Sequence, residues 1–422
     1  MARAMKDSGI EWIGEIPEGW EISRNKNCFS CGKEIVGQAS VDTQLLSLTT
    51  KGVKKKSETD VAGKVPESYD TYQVVETNDL IMCLFDLDCS AVFSGLSPYN
   101  GMVSPAYKIL KCNSSILPEY AQFWFSFIFD GRKFKSYAKN LRYTLNYDEF
   151  AVLPILLPDV AEQGKIADFL IRECARIDGV IEQTCASIEE YKKLKQSVIT
   201  QAVTKGIRPG RKMKDSGVEW IGEIPEEWLL FRVANLYDER NERGTDDLPI
   251  LTVSINTGIS DHEIPDEEKD RVVVRSEDRT LYKRVCPGDL AYNMMRAWQG
   301  AFGAARVDGM VSPAYVVAKP KTPGILDSRY VEALLRTPSA IEEMHRYSRG
   351  ITDFRLRLYW PEFKNICICV PSVKEQIEIA DYIDEKAAEI DALIQKKQQF
   401  LVELESYKKA LIFEYVTGKK EV

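Results

Sequence analysis

Two cysteines three positions apart are the clearest candidate for metal chemistry in this chain. Cys28 and Cys31 form a CxxC pair, whose thiolates could supply two of the four ligands of a tetrahedral zinc site. The other two ligands have no source at a usual spacing, because no second CxxC follows and His262 and His345 are the only histidines. The ten cysteines are scattered in a chain too large to need disulfide staples. The sequence therefore predicts reduced thiols and no metal site.

Carboxylates and phosphate-binding motifs give little support for catalysis. The stretch PDEEKD at 265 to 270 has the letters of a metal-dependent nuclease motif, but its carboxylates are adjacent in sequence rather than placed on paired strands. An acidic surface loop is the plainer interpretation. The sequence contains no GxxxxGK[ST] cradle, no NPPY-like or DPPY-like methyltransferase motif and no recognisable Ser/His/Asp arrangement. We therefore expect a non-catalytic chain without a cofactor.

Basic residues interleaved with aromatic ones form two segments that could bind nucleic acid. They are GRKFKSYAKNLRY at 131 to 143 and MHRYSRGITDFRLRLYW at 344 to 360, where Asp353 is the single acid. Lysine and arginine neutralise phosphates and tyrosine donates to phosphate oxygens, which positions a protein on a duplex without reading its sequence. The candidate contacts are Arg132, Lys133, Lys135, Tyr137, Lys139, Arg142 and Tyr143 in the first segment, and Arg346, Tyr347, Arg349, Arg355 and Arg357 in the second.

Three of these arginines are candidates for reading bases. Arg142, Arg349 and Arg355 could each make a bidentate contact to guanine in the major groove, worth about 1 to 3 kcal/mol of discrimination. A solvated helix end is the alternative for the first segment. Its recurrence in the second segment favours a shared DNA-binding role.

Two further stretches offer contacts and have structural alternatives. The loop TTKGVKKKSE at 49 to 58 supplies Lys51, Lys54 and Lys55, although a flexible solvated loop would look the same. The stretch MRAWQGAFG at 295 to 303 supplies Arg296 and Gln299, although its tryptophan and glycines could equally mark a tight turn.

Overall charge and hydropathy limit the possible partners and location. The net charge of −8 argues at first against a polyanionic partner, but acidity elsewhere is compatible with a local basic face. No run of about 18 apolar residues could span a bilayer, and the polar first twenty residues do not have the pattern of a secretory signal. We therefore expect a cytoplasmic protein without membrane contact.

The elements that must position these residues are duplicated. The segment MKDSGIEWIGEIPEGW at 5 to 20 returns at 213 to 228 with changes only at Ile10 and Gly19, and GMVSPAY at 101 to 107 returns unchanged at 309 to 315. The sequence between these repeats has diverged. Two copies of one scaffold with different surfaces suit a protein that recognises two different targets.

Each copy is predicted to be a mixed α/β globule followed by a long helix. Strand-like runs fall at 71–76, 79–85, 103–110 and 151–157, then at 250–255, 271–274, 289–295, 311–318 and 366–370, with helices at 117–129 and near 328–335. The predicted division is a first globule at 1–157, a helix at 158–206, a linker at 207–212, a second globule at 213–370 and a second helix at 371–422.

The two helices carry matching heptads, which predict an antiparallel coiled coil between them. The seam positions are Leu170, Cys174, Ile177, Ile181, Thr184, Ile188, Tyr191, Lys195, Val198 and Ala202, then Ile383, Ala387, Ile390, Ile394, Lys397, Leu401, Leu404, Lys408, Leu411 and Tyr415. Lys195 and Lys408 occupy matching positions, where a polar residue either fixes register or extends into solvent. The repeated tryptophans, Trp12, Trp20, Trp220 and Trp228, are predicted to anchor each globule to a helix end.

The order of globules and helices resembles the DNA-specificity subunit of Type I restriction-modification enzymes. The resemblance covers essentially the whole chain and depends on LPDVAEQGKIADFL at 157 to 170 and VPSVKEQIEIADYI at 370 to 383. The helix endings AVTKG and YVTGK and the stretch MRAWQGAFG also look like those of such subunits. SRGIT at 348 to 352 departs from its first-copy counterpart AKNLR at 138 to 142, which has no glycine.

This resemblance implies a function that composition and spacing alone do not. The chain would read a bipartite, asymmetric site on double-stranded DNA through two target-recognition domains. Two methyltransferase subunits would dock on the helical spacers, and nuclease/translocase subunits would join that core in a prokaryotic cytoplasm. A coiled-coil scaffold that binds only proteins is the alternative from another class, and an undetected nuclease is a third.

Overall fold

The computed structural model describes residues 3–56, 68–138, 142–245, 247–255, 257–263, 281–351 and 355–422. Contacts divide the chain into two compact units, Met1–Cys185 with Gln398–Val422, and Ala186–Lys397. The stretch PDEEKD, the strand predicted at 271–274 and the candidate Lys139 lie outside the described residues. Within the described ranges, no helix combines the length and apolar character that a bilayer span requires.

The first unit is a mixed α/β globule, as its sequence predicts. Its helices are Asn25–Cys28, Pro118–Asp130 and Tyr147–Ala151, with short 3-10 turns at Gly37–Val41 and Lys133–Ser136. Its strands are Met5–Asp7, Glu15–Pro17, Glu21–Arg24, Phe29–Gly32, Leu46–Thr49, Gly52–Lys55, Gln73–Val75, Leu80–Met82, Ser94–Leu96, Gly101–Val103, Lys108–Cys112 and Pro154–Leu157.

The second unit repeats the order of strands, with a ten-residue helix at Pro338–Tyr347 where the first unit has a 3-10 turn. Its helices are Val233–Leu236, Ser328–Leu335, Pro338–Tyr347 and Trp360–Phe363, with a 3-10 turn at Ala297–Gln299. Its strands are Met213–Asp215, Glu223–Pro225, Leu229–Arg232, Tyr237–Glu239, Val253–Ser254, Gly258–Ile259, Lys283–Val285, Leu290–Asn293, Phe302–Ala304, Gly309–Val311, Tyr315–Pro320 and Cys367–Val370.

A four-stranded antiparallel sheet forms the centre of each globule. In the first it runs in the order Phe29–Gly32, Lys108–Cys112, Leu80–Met82 and Ser94–Leu96, and the second has the equivalent four strands in the same order. The aromatic helix Pro118–Asp130 begins with a proline, which lacks an N–H group at a position where an N–H would have no partner within the helix. The helix buries Tyr120, Trp124 and Phe125 in the core. The helix predicted at 117–129 is thus confirmed.

The apolar runs at 103–110 and 311–318 are the clearest errors in the strand predictions. Each is divided by the turn that contains Ser-Pro-Ala-Tyr, so that Gly101–Val103 and Lys108–Cys112 are separate strands. Gly101–Val103 pairs with Gln73–Val75, whereas Lys108–Cys112 pairs inside the central sheet. One apolar run therefore contributes a strand to each of two sheets.

The two long helices extend over Val160–Lys205 and Val373–Val416. The Asp159 carboxylate caps the first by accepting from the Glu162 amide at 2.8 Å, and the Ser372 hydroxyl accepts from the Glu375 amide at 3.4 Å at the start of the second. The first helix has 46 residues, which at 1.5 Å each gives a length of about 69 Å. The predicted seam positions are buried or half-buried along both helices.

In each unit, part of one long helix packs antiparallel to part of the other. In the first unit the rings of Phe169 and Tyr415 lie 4.5 Å apart, and Asp178 pairs with Lys408 at 2.6 Å further along. In the second unit Lys195 pairs with Asp391 at 2.6 Å. Among these contacting pairs, the residue numbers increase along the first helix as they decrease along the second, which confirms the antiparallel coiled coil. Lys195 and Lys408 each bind an aspartate of the other helix.

Each globule is joined to its helices by the same set of side chains. The Trp20 indole donates to the Glu162 carboxylate at 3.0 Å, and the Trp228 indole donates to Glu375 at 3.3 Å. The predicted anchoring is therefore confirmed for these two tryptophans. Trp12 packs instead against the aromatic helix, with its ring 5.9 Å from that of Phe127. Trp220 packs against the core of its own globule.

A buried tyrosine completes each joint. The Tyr120 hydroxyl lies 3.1 Å from the Leu156 carbonyl and 3.3 Å from that of Val416, the last residue of the second long helix. Tyr330 makes the equivalent contacts to the carbonyls of Cys369 and Val203. These bonds satisfy carbonyls at helix ends and hold each globule against the helices of its own unit.

Candidate nucleic-acid interface

In the second globule, the two separately predicted basic stretches meet. The Leu358 amide donates to the Met294 carbonyl at 2.9 Å, and the Trp298 ring packs edge-on against His345 at 5.6 Å. A surface depression of about 510 Å³ lies where the stretches meet, lined by Met295, Arg349, Gly350, Ile351, Arg355, Leu356, Arg357 and Tyr359. We call this the arginine depression.

A tight backbone bridge arranges the arginines of this depression. Arg349 and Arg357 exchange both backbone hydrogen bonds at 2.9 Å. A Cβ at Gly350 would lie 2.7 Å from the Arg355 carbonyl oxygen, so this bend requires glycine. Leu356 and Leu358 are buried, which by the alternation of an extended chain leaves the side chains of Arg355 and Arg357 exposed.

Ion pairs hold some of these arginines without burying them. The Arg349 guanidinium lies 2.7 Å from the Glu362 carboxylate, yet its side chain is 74% exposed. Arg346 pairs with Glu343 at 2.7 Å, and this hydrogen bond raises the pKa of the Arg346 guanidinium. Both side chains remain exposed and can still face a phosphate. Ile351 is 94% exposed beside them.

Arg296 and Gln299 occupy the turn that the alternative interpretation predicted. The turn Ala297–Gln299 ends at Gly300, whose φ is +90°, and packs on the helix Pro338–Tyr347. Burial raises the pKa of Tyr315, and the nearby positive charge of Arg296 opposes that rise. Gln299 is exposed and lines a separate cavity rather than the arginine depression. The stretch is thus both a tight turn and part of the basic surface.

In the first globule, part of the basic segment has a structural role. Arg132 adopts a left-handed backbone, with φ of +50°, and its guanidinium donates to the Leu87 carbonyl at 2.7 Å. It also lies 5.4 Å from the Phe129 ring. The Lys133 ammonium lies 5.9 Å from the Trp12 ring. These contacts fix the end of the aromatic helix, although Arg132 stays exposed.

Acidic residues accompany the rest of this segment. Arg142 is 83% exposed and lies 3.8 Å from Asp86, while Lys135 lies 3.6 Å from Asp88. The Lys135 ammonium also lies 4.5 Å from the Tyr143 ring. The acidic partners in the first globule are about half exposed, whereas Glu343 and Glu362 in the second are almost buried, so the first surface is mixed in charge and the second presents mainly its arginines.

The lysines of the candidate loop at 49 to 58 lie on a β-hairpin where the structure describes them. Leu46–Thr49 pairs with Gly52–Lys55, so Lys51 is at the turn and Lys54 and Lys55 are on an exposed strand. The Lys55 ammonium lies 4.9 Å from the Tyr99 ring. This hairpin presents its cations from a defined strand rather than from an unstructured loop.

A basic groove on the first globule was not predicted. It measures about 760 Å³ and is lined by Ile10, Ile22, Ser23, Arg24, Lys26, Asn27, Tyr137, Val152 and Pro154. The half-buried Tyr137 brings the predicted segment to the same groove as Arg24 and Lys26. The pair of cations in SRNKN at 23 to 27 is the only signal that the sequence offered.

Burial disfavours the thiolate form of the CxxC cysteines. Cys28 lies buried before the strand that carries Cys31, and burial raises the pKa of both thiols. Burial also raises the pKa of Cys112 to about 12 and that of Cys174 to about 11. Among the described residues, no group of three or more His, Cys, Asp or Glu side chains could hold a metal ion.

Comparisons with known proteins agree on one class. The specificity subunit of the Type I restriction enzyme MjaVIII from Methanocaldococcus jannaschii is 22% identical over 426 residues, which cover 96% of this chain and 94% of that protein. No protein-family model matches the chain.

Two solved structures share the fold over almost the whole chain. One comes from work on complex assembly and conformational transition of the type I R-M system, with 14% identity and a TM-score of 0.69 over 96% of this chain and 99% of that one. The HsdS subunit from Thermoanaerobacter tengcongensis has 15% identity and a TM-score of 0.51 over 96% and 98%. The resemblance expected from the sequence motifs is thereby confirmed.

Proposed function

We propose that this chain is the DNA-specificity subunit of a Type I restriction-modification complex. Residues 1–157 and 213–370 are its target-recognition domains, and the long helices with their flanks, 158–206 and 371–422, are its spacers. Sequence similarity to a specificity subunit over 96% of the chain supports this role. The chain itself performs no chemistry and positions partner enzymes on double-stranded DNA in a prokaryotic cytoplasm.

The observation that carries the proposal is a repeated frame with two different exposed surfaces. The joints made by Trp20 with Glu162 and by Trp228 with Glu375 are equivalent. The second globule presents the arginine depression, where Arg349 pairs with the nearly buried Glu362, whereas the corresponding segment of the first is paired with the exposed Asp86 and Asp88. Two surfaces that differ in charge would bind two different half-sites, as an asymmetric bipartite target requires.

The side chains sort into two kinds of contact. We assign phosphate contacts to lysines, tyrosines and one arginine along the basic segments, because such contacts position a domain without reading sequence. The assigned residues are Lys51, Lys54, Lys55, Lys133, Lys135, Tyr137, Lys139, Tyr143, Arg346 and Tyr347. We assign base contacts to Arg142, Arg349 and Arg355, whose planar guanidinium groups can donate to the O6 and N7 atoms of guanine. Arg132, Arg296, Gln299 and Arg357 complete the proposed surface.

The long helices supply the proposed methyltransferase platform. Both carry large apolar side chains that are about half exposed, where monomeric helices would be polar. These are Ile171, Leu194, Ile377, Leu393, Phe400, Val402 and Tyr407. Two methyltransferase subunits docked on these helices would cover this apolar surface, and nuclease/translocase subunits would join through them.

Methylation mapping tests the whole proposal. We expect cells that carry this chain and its neighbouring methyltransferase to methylate adenines within one bipartite, asymmetric motif. The purified assembly should bind a duplex with that motif and lose affinity steeply as salt rises, since binding releases counterions from phosphates. A protein scaffold would give neither a motif nor salt-dependent binding, and a chain that cleaves DNA alone with a metal would be a nuclease.

A further inference from the structure

One backbone clamp occurs at the same place in both globules and marks equivalent loop positions. In the first, the Leu145 amide donates to the Leu84 carbonyl at 2.8 Å. In the second, the Leu358 amide donates to the Met294 carbonyl at 2.9 Å. Each clamp ties the basic segment to the loop that follows the strand Leu80–Met82 or Leu290–Asn293. Residues counted outward from the clamps therefore occupy matched positions in the chain, although the backbone is left-handed at Asp86, with φ of +48°, and not at Arg296, with φ of −135°.

Opposite charges follow these clamps. Two residues after Leu84 stands Asp86, whereas two residues after Met294 stands Arg296. The residues between, Phe85 and Met295, are both partly exposed apolar side chains. On the other side of the clamp, the arginines three residues before Leu145 and Leu358 are also equivalent, Arg142 and Arg355, and both are exposed. The scaffold and its flanking arginine are thus kept while the charge at one loop position is reversed.

The loop that carries Asp86 is held rigidly. The Asp86 amide donates to the Thr144 hydroxyl at 3.0 Å, and its carbonyl accepts from the amides of Cys89 and Ser90 at 3.0 and 2.9 Å. Arg132 fixes the next residue through the Leu87 carbonyl. Asp86 has a φ of +48°, and its side chain is 52% exposed. The carboxylate therefore projects from a fixed backbone into solvent.

The surrounding charges make this carboxylate compatible with DNA. A carboxylate alone on such a surface would repel the phosphates of a duplex. Here Arg142 lies 3.8 Å from Asp86, and Lys135 offsets the neighbouring Asp88 at 3.6 Å. The loop presents an acceptor without presenting net negative charge. In the second globule, the Arg296 guanidinium has no ion pair or hydrogen bond within the described part of the chain, so it remains a donor.

Acceptors and donors select different bases in the major groove. The N4 amine of cytosine donates to carboxylates, whereas the O6 and N7 atoms of guanine accept from arginine. We propose that Asp86 is a specificity-determining residue of the first domain that accepts a hydrogen bond from the N4 amine of a cytosine. At the equivalent position of the second domain, Arg296 donates to a guanine. This inference rests on the proposed function of the chain.

Two substitutions test Asp86 without disturbing its backbone. Asparagine and glycine both tolerate a left-handed residue, so Asp86→Asn and Asp86→Gly should keep the loop folded. The control is Glu76→Gln, which alters an exposed carboxylate that pairs with Lys111 at 2.6 Å. The adenine-methylation motif of each variant assembly is mapped in cells. Methylation rates are then measured on duplexes that carry each base pair in turn at every motif position.

We expect Asp86→Gly to reduce the preference at a single cytosine by about ten-fold or more, since a good base contact has that scale of discrimination. Asp86→Asn should relax the same position, and Glu76→Gln should leave the motif unchanged. The other half of the motif should stay intact in every variant, which also reports that the assembly is folded. If Asp86→Gly does not assemble, Asp86→Asn decides through a change of preference, because its amide both accepts and donates and should admit adenine at the position that the carboxylate reads as cytosine.

Two results would overturn the inference. Unchanged preference at every position in both Asp86 variants would show that this carboxylate reads no base. An equal loss at the same position in Arg142→Gln, with a guanine as the preferred base, would make the arginine the reader and Asp86 only its positioning residue. A wild-type assembly without any motif would instead refute the proposed function, so the two failures are distinguishable.

Discussion

Removal of two arginines from the arginine depression should weaken DNA binding without unfolding the protein. The double substitution Arg355→Gln and Arg357→Gln keeps polar side chains and removes two positive charges. Both side chains are exposed, and the buried Leu356 and Leu358 hold the backbone between and after them. Surface changes of this kind alter unfolding free energy by about 0.5 kcal/mol at most. An effect on DNA binding would therefore come from the interface itself.

The expected magnitude follows from counterion release. Each phosphate contact contributes about 0.9 to the slope of log affinity against log salt concentration, so two lost phosphate contacts would lower the slope by about 1.8, which is the upper bound because Arg355 is assigned to a base. Between 50 and 200 mM salt, that difference corresponds to about a twelve-fold change in relative affinity. If one of the arginines instead reads a guanine, the slope falls by about 0.9, and discrimination at one base falls by about 1 to 3 kcal/mol.

Fluorescence anisotropy at several salt concentrations measures this slope. The assembly with its methyltransferase is titrated with a duplex carrying the mapped motif, and with duplexes altered in either half. The charge-matched control is Lys319→Gln with Lys321→Gln, since these lysines pair with Glu242 and Asp238 and do not line the depression. Equal slopes for both double variants would mean that only net charge matters, and would refute a local interface. Loss of discrimination in both halves would refute independent domains.

Three further predictions concern the frame. Lys195→Glu should lower the thermal midpoint because it places a like charge beside Asp391, whereas Lys195→Met should change it little, since partly exposed pairs contribute about 0 to 1 kcal/mol. Arg211→Met should cost about 3 to 5 kcal/mol in chemical denaturation, because it leaves the Glu375 carboxylate, with a side chain only 5% exposed, without its cationic partner. Removal of the Arg3 side chain, whose pair with Glu162 is more exposed, should cost about 1 kcal/mol, and equal costs would contradict this burial argument. Insertion of one heptad into both long helices should change the gap tolerated between half-sites, and an unaltered gap in the methylation motif would exclude a spacer role.

The frame was predictable because its signals are long and repeated. Heptads that continue over more than forty residues define a helix and its buried seam whatever the surroundings. The motif at 5 to 20 occurs twice, so the Trp20 joint and the Trp228 joint could be inferred together. Short strands were less predictable, because the apolar runs at 103–110 and 311–318 hide a turn between two strands that pair with different partners. Partner choice depends on residues that are distant in sequence.

The interface was predictable in composition but not in detail. The basic segments can be recognised from their charge. The sequence near them does not indicate that Asp86 and Asp88, about fifty positions away, lie beside Arg142 and Lys135. The contact of Arg132 with the Leu87 carbonyl is hidden for the same reason. Contacts with residues distant in sequence determine whether a cation has a structural role or faces solvent. The type of residue alone does not reveal which role it has.

The division between constant and variable positions has a physical basis that bears on function. Trp20, Glu162 and their equivalents are buried at joints, where a single change leaves a polar group without its partner. Asp86 and Arg296 occupy equivalent loop positions with exposed or half-exposed side chains, where charge can reverse without loss of folding energy. A duplicated protein under selection for two different half-sites can therefore change its readers at such positions while keeping its joints. If this reasoning is correct, exchanging only the exposed charges, as Asp86→Arg and Arg296→Asp, should exchange base preference at one position in each half-site and leave assembly with the methyltransferase unchanged; the buried neighbours Leu87 and Ala297 stay in place.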